Sequence, residues 1–376
     1  MADRPHILHV HGSFTLGGKE ARAVRLMNIW GDRARHSIAS ADQDALGARY
    51  AIDPAIAVDF PDGPSFAGKP GLARYRDITA FLKRFDLILT YNWGSMDAVM
   101  AHRLAGASAR LPPLIHHEDG FNADETSGLK TKRNLFRRVA LQRAHALVVP
   151  SVRLEGIARK VWKQPTSRVH LIRNGIDVAR YATRPAPDAI AGLVRTPGKL
   201  LVGTLAGLRA VKNIPRLVRA VAAHRDRLQL VVVGEGPERD AILAEAASHG
   251  LDDIHMAGFM DRPWRFMGLL DIFALSSDSE QFPISLVEAM AAGVPVASMD
   301  VGDVANMVAP QNRAFVVPDE SGLAKALGIL ADDAALRAAL GAANRERAVR
   351  DYAEQAMVDA YATLYGEALA RPMILR

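Results

Sequence analysis

The chain has 376 residues, a formal net charge of +6, 49% hydrophobic residues and no cysteine. The length predicts two domains, and the lack of cysteine excludes disulfides, thiolate catalysis and cysteine-ligated metals while favouring a reducing compartment. The mild positive charge suits anionic ligands or an anionic membrane surface, whereas only 6% aromatic residues and no dense Lys/Arg tract argue against nucleic-acid binding.

The N-terminal residues lead into a short apolar run at residues 7–10, which predicts a first strand rather than a signal peptide. No stretch of the sequence approaches the roughly 18 consecutive apolar residues of a membrane span. We therefore expect a cytoplasmic protein.

Short apolar runs bounded by Gly, Pro or polar loops alternate with helical stretches along the whole chain. This alternation predicts βαβ units, parallel sheets and an α/β fold of Rossmann-like domains. The predicted strands are residues 7–10, 87–90, 114–116, 146–150, 169–172, 200–205, 228–233, 254–257, 272–275 and 294–298.

Two glycines, Gly17 and Gly18, follow the first predicted strand where a loop meets a helix. The absence of side chains there permits positive φ and a close approach of a ligand to the backbone. A simple tight turn is the alternative.

Two histidines and two acids, His116, His117, Glu118 and Asp119, lie at the end of the third predicted strand. Open α/β sheets bind ligands at the carboxyl ends of their strands, so we interpret this segment as a ligand-contacting loop. A metal site is disfavoured because no second His/Asp cluster has suitable ligand spacing. A purely structural loop is the other alternative.

Residues 129–143 mix basic and apolar side chains and predict an amphipathic helix. Such a helix could lie on an anionic membrane. We favour a solvated helix face that covers the first sheet, with peripheral membrane contact as the alternative.

The dipeptide Asn174-Gly175 follows the predicted strand 169–172 and is a strong turn signal. The next segment, residues 177–199, is rich in proline and glycine and poor in apolar runs. It predicts a connection between domains at residues 1–177 and 178–356.

A loop containing Gly207, followed by the cations Arg209 and Lys212, separates the strand 200–205, which itself contains Gly203, from a predicted helix. Glycines after a strand and cations before a helix suit diphosphate binding. A solvated Lys212 is the alternative.

A Gly-x-Gly turn, Gly234 to Gly236, follows the strand 228–233. A dinucleotide fingerprint needs a third glycine at the position of Arg239, so NAD binding is disfavoured.

Two carboxylates, Glu280 and Glu288, flank the predicted start of a helix. Pro283 suits the first turn of this helix and Gly293 suits its end. Backbone N–H groups at a helix start bind anions, and carboxylates accept hydrogen bonds from hydroxyls. The pair therefore suits a ligand with both phosphate and hydroxyl groups, such as a nucleotide sugar.

The helix around Glu288 is too apolar for a surface helix, so this carboxylate should have a partner or a ligand. A loop charge at Glu280 and a solvated Glu288 are the alternative.

The segment from Glu280 to Glu288 resembles the E-x7-E motif of the retaining glycosyltransferases of family 4, and the similarity covers nearly the whole chain. The resemblance implies the GT-B fold, in which two Rossmann-like domains with parallel sheets face each other across a cleft. The first domain would bind the acceptor and the second the nucleotide sugar. A final helix, at about residues 357–376, would cross back to the first domain.

The resemblance also implies residue roles. Glu280 would contact the transferred sugar, Glu288 the ribose hydroxyls, and Lys212 the departing diphosphate. The other donor-binding candidates are Arg209, Gly207, Phe282, Ile284, Ser285, Gly234, Gly236 and Gly302. In the first domain the catalytic candidates are His117 and Asp119, and the acceptor or cleft candidates are Gly17, Gly18, His116 and Asn174.

Three positions depart from the family pattern. Pro283 replaces the second glycine of Gly-Phe-Gly after the first Glu and has no N–H to donate. Gly207 replaces an arginine that clamps the diphosphate, with Arg209 as the candidate substitute. With Gly120 as the anchor of the loop, Asp119 stands where many members have histidine, and His117 lies two residues earlier.

These features together predict a retaining hexosyltransferase that uses a nucleotide diphosphate sugar and a saccharide or lipid-linked acceptor, without a metal or other cofactor. Polysaccharide or glycolipid assembly is the expected role, with possible contact at the inner face of the cytoplasmic membrane. The alternatives are a sugar-nucleotide epimerase of the same fold and a non-catalytic subunit whose site has decayed, which Gly207 favours.

Overall fold

The computed structural model describes residues 4–66, 68, 71–120 and 130–376. The chain divides into two compact units, one of Met1–Asn174 with Met357–Arg376 and the other of Gly175–Ala356. Leu129, the first residue of the basic segment, lies outside the described residues.

The first unit contains a parallel seven-stranded sheet with the order β3-β2-β1-β4-β5-β6-β7. Its strands are β1 (His6–His11), β2 (Arg35–Ser40), β3 (Val58–Asp59), β4 (Leu87–Tyr91), β5 (Leu114–His117), β6 (Ala146–Val149) and β7 (Val169–Leu171). Its helices include α1 (Gly18–Trp30), α2 (Leu72–Leu82), α3 (Met96–Ala105), α4 (Thr131–Ala140) and α5 (Val152–Lys160).

The second unit contains a parallel six-stranded sheet with the order β10-β9-β8-β11-β12-β13. Its strands are β8 (Leu200–Leu205), β9 (Leu228–Val233), β10 (Ile254–Gly258), β11 (Ile272–Leu275), β12 (Val296–Met299) and β13 (Val316–Val317). Its helices include α6 (Ile214–Ala222), α7 (Arg239–Ser248), α8 (Ile284–Ala291), α9 (Val304–Met307), α10 (Glu320–Asp332) and α11 (Ala334–Asp351). The last helix, α12 (Glu354–Ala368), begins in this unit and belongs to the first unit from Met357 onward.

The predicted fold class is confirmed, because each unit is a Rossmann-like parallel sheet with helices between its strands. The predicted strand runs all correspond to strands, whereas β2, β3 and β13 were not predicted. The reason that a strand was not predicted is clearest for β2, because this strand has polar side chains that lie in the core. There His36 Nδ1 lies 3.0 Å from His9 Nε2, and the Ser37 hydroxyl donates to Asp59. These partners satisfy groups that would otherwise make burial costly.

The proline- and glycine-rich segment 177–199 is not a bare connection. Tyr181 and Ile190 are 6% and 2% exposed and pack in the core of the second unit. The sparse apolar residues of this segment are therefore enough to anchor it in the second unit.

The last segment of the chain, Met357–Arg376, belongs to the first unit. Tyr361 and Tyr365 are buried there, and the ring of Tyr365 packs edge-on against Trp30. In the described part of the chain no helix has both the length and the apolar character needed to cross a bilayer.

Candidate functional site

The centre of the second sheet has a topological switch point between β8 and β11. These strands are neighbours, although β9 and β10 separate them in sequence. From β8 the chain proceeds toward one edge of the sheet, and from β11 toward the other. Open α/β sheets bind ligands just beyond the carboxyl ends of the strands at such a point.

Lys212 and Glu280 bridge the loops that follow these two strands. Lys212 Nζ donates to Glu280 Oε1 at 2.5 Å, and Ser277 Oγ donates to the same oxygen at 2.7 Å. The Lys212 and Glu280 side chains are only 16% and 11% exposed. The loop backbones are also joined, since the Ser276 hydroxyl donates to the Lys212 carbonyl at 3.1 Å. A cation and a carboxylate are thus held together at the switch point.

Helix α8 begins beside this ion pair and has no side-chain cap at its N-terminus, where Pro283 is the N-cap residue. The first N–H groups of a helix have no intrahelical acceptor, so Ile284 and Ser285 lie where an anion can be bound. The helix ends at a Schellman turn, in which the N–H of Gly293 donates to Met290 and the N–H of Val294 donates to Ala289. The predicted glycine stop is confirmed.

Glu288 lies inside α8 and has the partner that its apolar surroundings require. The Tyr181 hydroxyl donates to Glu288 Oε1 at 3.1 Å. Burial raises the pKa of Glu288 to about 7, and the hydrogen bond from Tyr181 opposes that rise. The carboxyl group therefore changes its charge near neutral pH. Sequence reasoning missed Tyr181, which is 107 residues away from Glu288 along the chain.

Close backbone packing explains three predicted donor-binding glycines. A Cβ at Gly234 would lie 1.8 Å from the Ala206 carbonyl oxygen, and one at Gly236 would lie 2.3 Å from that of Leu208. A Cβ at Gly302 would lie 2.2 Å from the Glu280 carbonyl oxygen. These glycines allow the loops after β8, β9, β11 and β12 to lie directly against one another.

Gly207 differs from those glycines because the space that an added Cβ atom would occupy there is open. A Cβ there would meet only Arg209 Nε at 3.8 Å and the Glu235 carbonyl oxygen at 3.9 Å, which are ordinary contacts. The Arg209 side chain thus passes beside the position from which an arginine at 207 would project.

Replacement of Gly207 by arginine is expected to strengthen binding of nucleoside diphosphate by roughly tenfold or more, because one charged hydrogen bond contributes about 1.5–3 kcal/mol. Calorimetry on Gly207→Arg would measure the effect, with Gly207→Gln as a control of similar length. Unchanged affinity in Gly207→Arg would indicate that Arg209 already supplies the missing cation.

Phe282 was predicted to contact the donor, but its side chain is 9% exposed and its ring packs edge-on against Tyr352 at 5.8 Å. The donor contact stays a prediction, and the structure adds a packing role. Phe282 anchors the loop between Glu280 and α8 in the core, because the apolar ring has a better environment there than in water.

In the first unit, Asp119 and Asn174 are joined by a residue that the sequence did not single out, Arg22 in α1. Arg22 forms a two-pronged ion pair with Asp119, in which Nη2 donates to Oδ2 at 2.8 Å. Arg22 Nη1 also donates to Asn174 Oδ1 at 2.8 Å. The Asp119 carboxylate is therefore already engaged by a buried guanidinium.

His117 was predicted to take part in catalysis, but the structure places it in the core. Its Nδ1 donates to the Thr90 carbonyl at 3.2 Å, and Nε2 accepts from the Tyr365 hydroxyl at 2.7 Å. Burial, and then the charge of Arg22, lower the pKa of His117 well below its usual value. The prediction is corrected for this structure, since the ring is 1% exposed and both of its nitrogens already have partners.

His116 is also buried, with Nδ1 2.9 Å from Thr90 Oγ1. The next residue but one, Glu118, accepts from Arg137 Nε at 2.9 Å, and both side chains are fully buried. The predicted acceptor contact of His116 is therefore replaced by a structural role. His116 Nε2 also lies 3.7 Å from Glu118 Oε2. Within the described ranges no three acids or histidines are grouped to hold a metal ion.

Gly17 and Gly18 lie at the start of α1, where Gly17 is the N-cap residue with extended φ of −143°. Positive φ is therefore not the reason for glycine at position 17. A Cβ at Gly18 would meet nothing within 4 Å, so the backbone there is uncovered.

Comparison with protein families identified matches over most of the chain. The model described as "Glycosyl transferases group 1" matches residues 188–347. The model described as "Glycosyl transferase 4-like domain" matches residues 17–175.

Among curated proteins, EpsF of Bacillus subtilis (strain 168) is 31% identical over 54% of this chain and 57% of its own length. The N-acetyl-alpha-D-glucosaminyl L-malate synthase of Bacillus anthracis is 23% identical over 72% of this chain and 71% of its own length. The chain thus spans little more than half of EpsF.

Among solved structures, HepE of Anabaena in complex with UDP superposes with a TM-score of 0.77 at 20% identity, covering 96% of this chain and 100% of that chain. Sucrose-phosphate synthase of Thermosynechococcus elongatus gives a TM-score of 0.76 at 21% identity, with coverage of 98% and 100%. These similarities establish the shared fold.

Proposed function

Because the chain belongs to the group 1 glycosyl transferases, we propose that it moves a hexosyl group from a nucleoside diphosphate sugar to a hydroxyl of a saccharide or lipid-linked acceptor, with retention at the anomeric carbon. The bond between that carbon and the diphosphate oxygen breaks, and a bond to the acceptor oxygen forms. The acceptor proton leaves with the diphosphate. Neither a metal nor another cofactor takes part in this proposal.

The observation that carries the proposal is the Lys212–Glu280 pair beside the uncapped start of α8. Negative charge develops on the departing diphosphate, and Lys212 with the N–H groups of Ile284 and Ser285 offers preorganised positive charge to stabilise it. Glu280, oriented by Lys212 and Ser277, accepts from sugar hydroxyls. Glu288, which Tyr181 orients, accepts from the ribose hydroxyls.

HepE of Anabaena was crystallised in complex with UDP, which supports a nucleoside diphosphate as the ligand class. The relative from Bacillus subtilis bears the description "Putative glycosyltransferase EpsF", which supports a glycosyltransferase activity. Polysaccharide or glycolipid assembly, on the inner side of the cytoplasmic membrane, is the role that we propose.

Calorimetric titration with UDP, GDP, ADP and NAD tests the donor site. One nucleoside diphosphate is expected to bind, and Glu288→Ala is expected to weaken it by roughly 10–100-fold, because a charged hydrogen-bond acceptor is lost. Binding of NAD, or of no nucleoside diphosphate at all, would contradict the proposal. Glu155→Ala, at a carboxylate in α5 of the first unit, is the control.

The affinity for that nucleoside diphosphate is expected to depend on the charge of Glu288. Its raised pKa of about 7 means that the carboxyl gains a proton as the pH falls below 7. The ionised form accepts ribose hydroxyl hydrogen bonds better, so affinity should rise from about pH 6 to pH 8 by up to roughly tenfold. Glu288→Gln removes this contribution, and an identical pH profile in both proteins would show that Glu288 does not contact the ligand.

Incubation of the bound nucleotide sugar without an acceptor separates the proposal from epimerisation. A transferase releases free sugar and nucleoside diphosphate slowly through water, whereas an epimerase returns a changed nucleotide sugar. A protein that binds the nucleotide sugar but catalyses neither reaction would be the non-catalytic subunit.

The exposed face of α4 supports peripheral membrane contact. Arg137 points into the core, whereas Lys132, Arg138 and Leu135 are exposed, the last by 61%. Basic and apolar side chains on one solvent face suit an anionic bilayer.

Sedimentation with phosphatidylglycerol vesicles tests this contact. Leu135→Asp is expected to weaken binding severalfold, since it removes apolar burial and adds charge repulsion. Ile329→Asp, at a 52% exposed position in α10 of the second unit, is the control. Vesicle binding that falls equally in Leu135→Asp and Ile329→Asp would contradict the proposed contact. Binding of the original protein to neutral vesicles as strong as to phosphatidylglycerol vesicles would contradict it as well, and α4 would then be an ordinary solvated helix.

A further inference from the structure

A cavity lies beyond the carboxyl ends of β2 and β3, at one edge of the first sheet. In the sheet register Ser40, the last residue of β2, is paired with His11, the last residue of β1. The backbone continues beside β1, because the N–H groups of Ala41 and Asp42 donate to the carbonyls of His11 and Gly12. The cavity is therefore on the sheet edge where parallel α/β sheets place ligands, and the residues predicted to contact the acceptor do not line it.

The cavity has a volume of about 180 Å³. A site for one water molecule needs only roughly 10–15 Å³, so this space can admit a group as large as a single pyranose with its hydroxyls. Its apolar lining includes Leu46, Phe60 and Phe66, and its polar lining includes Ser40, Gln43 and Asp62.

The walls are held by the core of the unit. Phe66 is 4% exposed and packs in the main hydrophobic cluster. The loop that carries Gln43 is tied to Phe14, whose N–H donates to the Ala45 carbonyl at 2.7 Å and whose carbonyl accepts from Ala48 at 2.9 Å. A wall fixed in this way loses little conformational freedom when a ligand binds.

The side chains that face the cavity suit a neutral polyol. Phe60 lines the cavity and is 39% exposed, so its ring is available for contact with the C–H groups of a sugar. In the described part of the chain, the Gln43 amide and the Asp62 carboxylate have no hydrogen-bond or ion-pair partner, so both can bind hydroxyls. The described lining carries one carboxylate and no cation, which disfavours an anionic ligand such as a nucleoside diphosphate.

We propose that this cavity, with Phe60 and Asp62 on its walls, binds one neutral hexopyranose unit of the acceptor saccharide. The proposal rests on the transferase function and adds the chemical class of the group recognised by the first unit. Phe60 supplies the apolar contact, and Asp62 with Gln43 fixes the orientation of the hydroxyls.

Saturation-transfer NMR on the full chain tests the proposal, with methyl α-glucopyranoside, methyl α-mannopyranoside and methyl β-galactopyranoside as probes at millimolar concentration. At least one glycoside is expected to receive saturation. Phe60→Ala and Asp62→Asn are each expected to weaken that binding by roughly tenfold. Tyr50→Ala, at an aromatic residue that is 79% exposed and does not line the cavity, is expected to bind as the original protein does.

Nucleoside diphosphate affinity, measured on the same variants, separates this proposal from the transferase function. Unchanged diphosphate affinity with lost glycoside binding in Phe60→Ala supports the cavity as a saccharide site. Diphosphate binding with no glycoside signal, or with equal signals from Phe60→Ala and the original protein, would overturn the cavity proposal alone. Absence of diphosphate binding by the original protein would overturn the transferase function itself, regardless of the result with the glycosides.

Discussion

Replacement of Lys212 by methionine is expected to lower kcat for transfer or donor hydrolysis by roughly 10²–10³-fold, equivalent to about 2.7–4 kcal/mol of transition-state stabilisation. Methionine keeps much of the length and removes the charge. The departing diphosphate then loses the cation at the switch point, and Glu280 loses the ammonium that holds it at 2.5 Å. The rate of nucleoside diphosphate release from the donor identified by calorimetry measures the effect.

Lys199→Met is the matched control for this variant. Lys199 also forms an ion pair in the second unit, with Asp253, and its side chain is 20% exposed. It directly precedes β8, at the opposite end of that strand from Lys212. Activity of Lys212→Met within about threefold of the original protein, equal to that of Lys199→Met, would contradict the role of Lys212.

Replacement of Arg137 by methionine is expected to reduce the free energy of unfolding of the first unit by about 3–5 kcal/mol. The reason is the complete burial of both Arg137 and Glu118, which leaves an uncompensated carboxylate when the guanidinium is removed. The midpoint of thermal unfolding should fall by roughly 10 °C. Tryptophan fluorescence is a suitable probe, because the Arg137 guanidinium carbon lies 5.0 and 5.1 Å from the rings of Trp93 and Trp162.

Two further variants decide the cause of that loss. Combining Arg137→Met with Glu118→Leu should recover most of the stability, because apolar groups then fill the space of the buried pair. Arg4→Met breaks an exposed pair, with Asp32, and should change stability by less than about 1 kcal/mol. A double variant as unstable as Arg137→Met would show that lost packing, rather than the unpaired charge, is responsible.

Much of the fold could be predicted because its signals are local. The apolar runs that form β8, β9 and β11 are continuous in the sequence, and a turn signal follows each of them. The Gly293 stop of α8 depends on one residue that tolerates φ of +74°. The placement of Glu280 before α8 and Glu288 within it likewise follows from spacing alone.

The strand β2, which the sequence did not predict, and the role of His117, which it predicted wrongly, share a physical cause. The polar strand β2 has no apolar run, and it is buried because His9 and Asp59, from other strands, satisfy its side chains. From sequence, His117 is predicted to be catalytic because it lies at a strand end. In the structure, Thr90 and Tyr365 form hydrogen bonds with its two ring nitrogens.

The sequence by itself determined the two Rossmann-like domains, the positions of most strands along the chain and the carboxylates that flank α8, since periodicity, turn residues and spacing are properties of neighbouring residues. Only the tertiary structure decided which polar groups meet. Arg22 lies 97 residues from Asp119, and Lys212 lies 68 residues from Glu280. Such pairs depend on which strands become neighbours in a sheet, and that choice depends on the packing of the whole unit rather than on any local pattern.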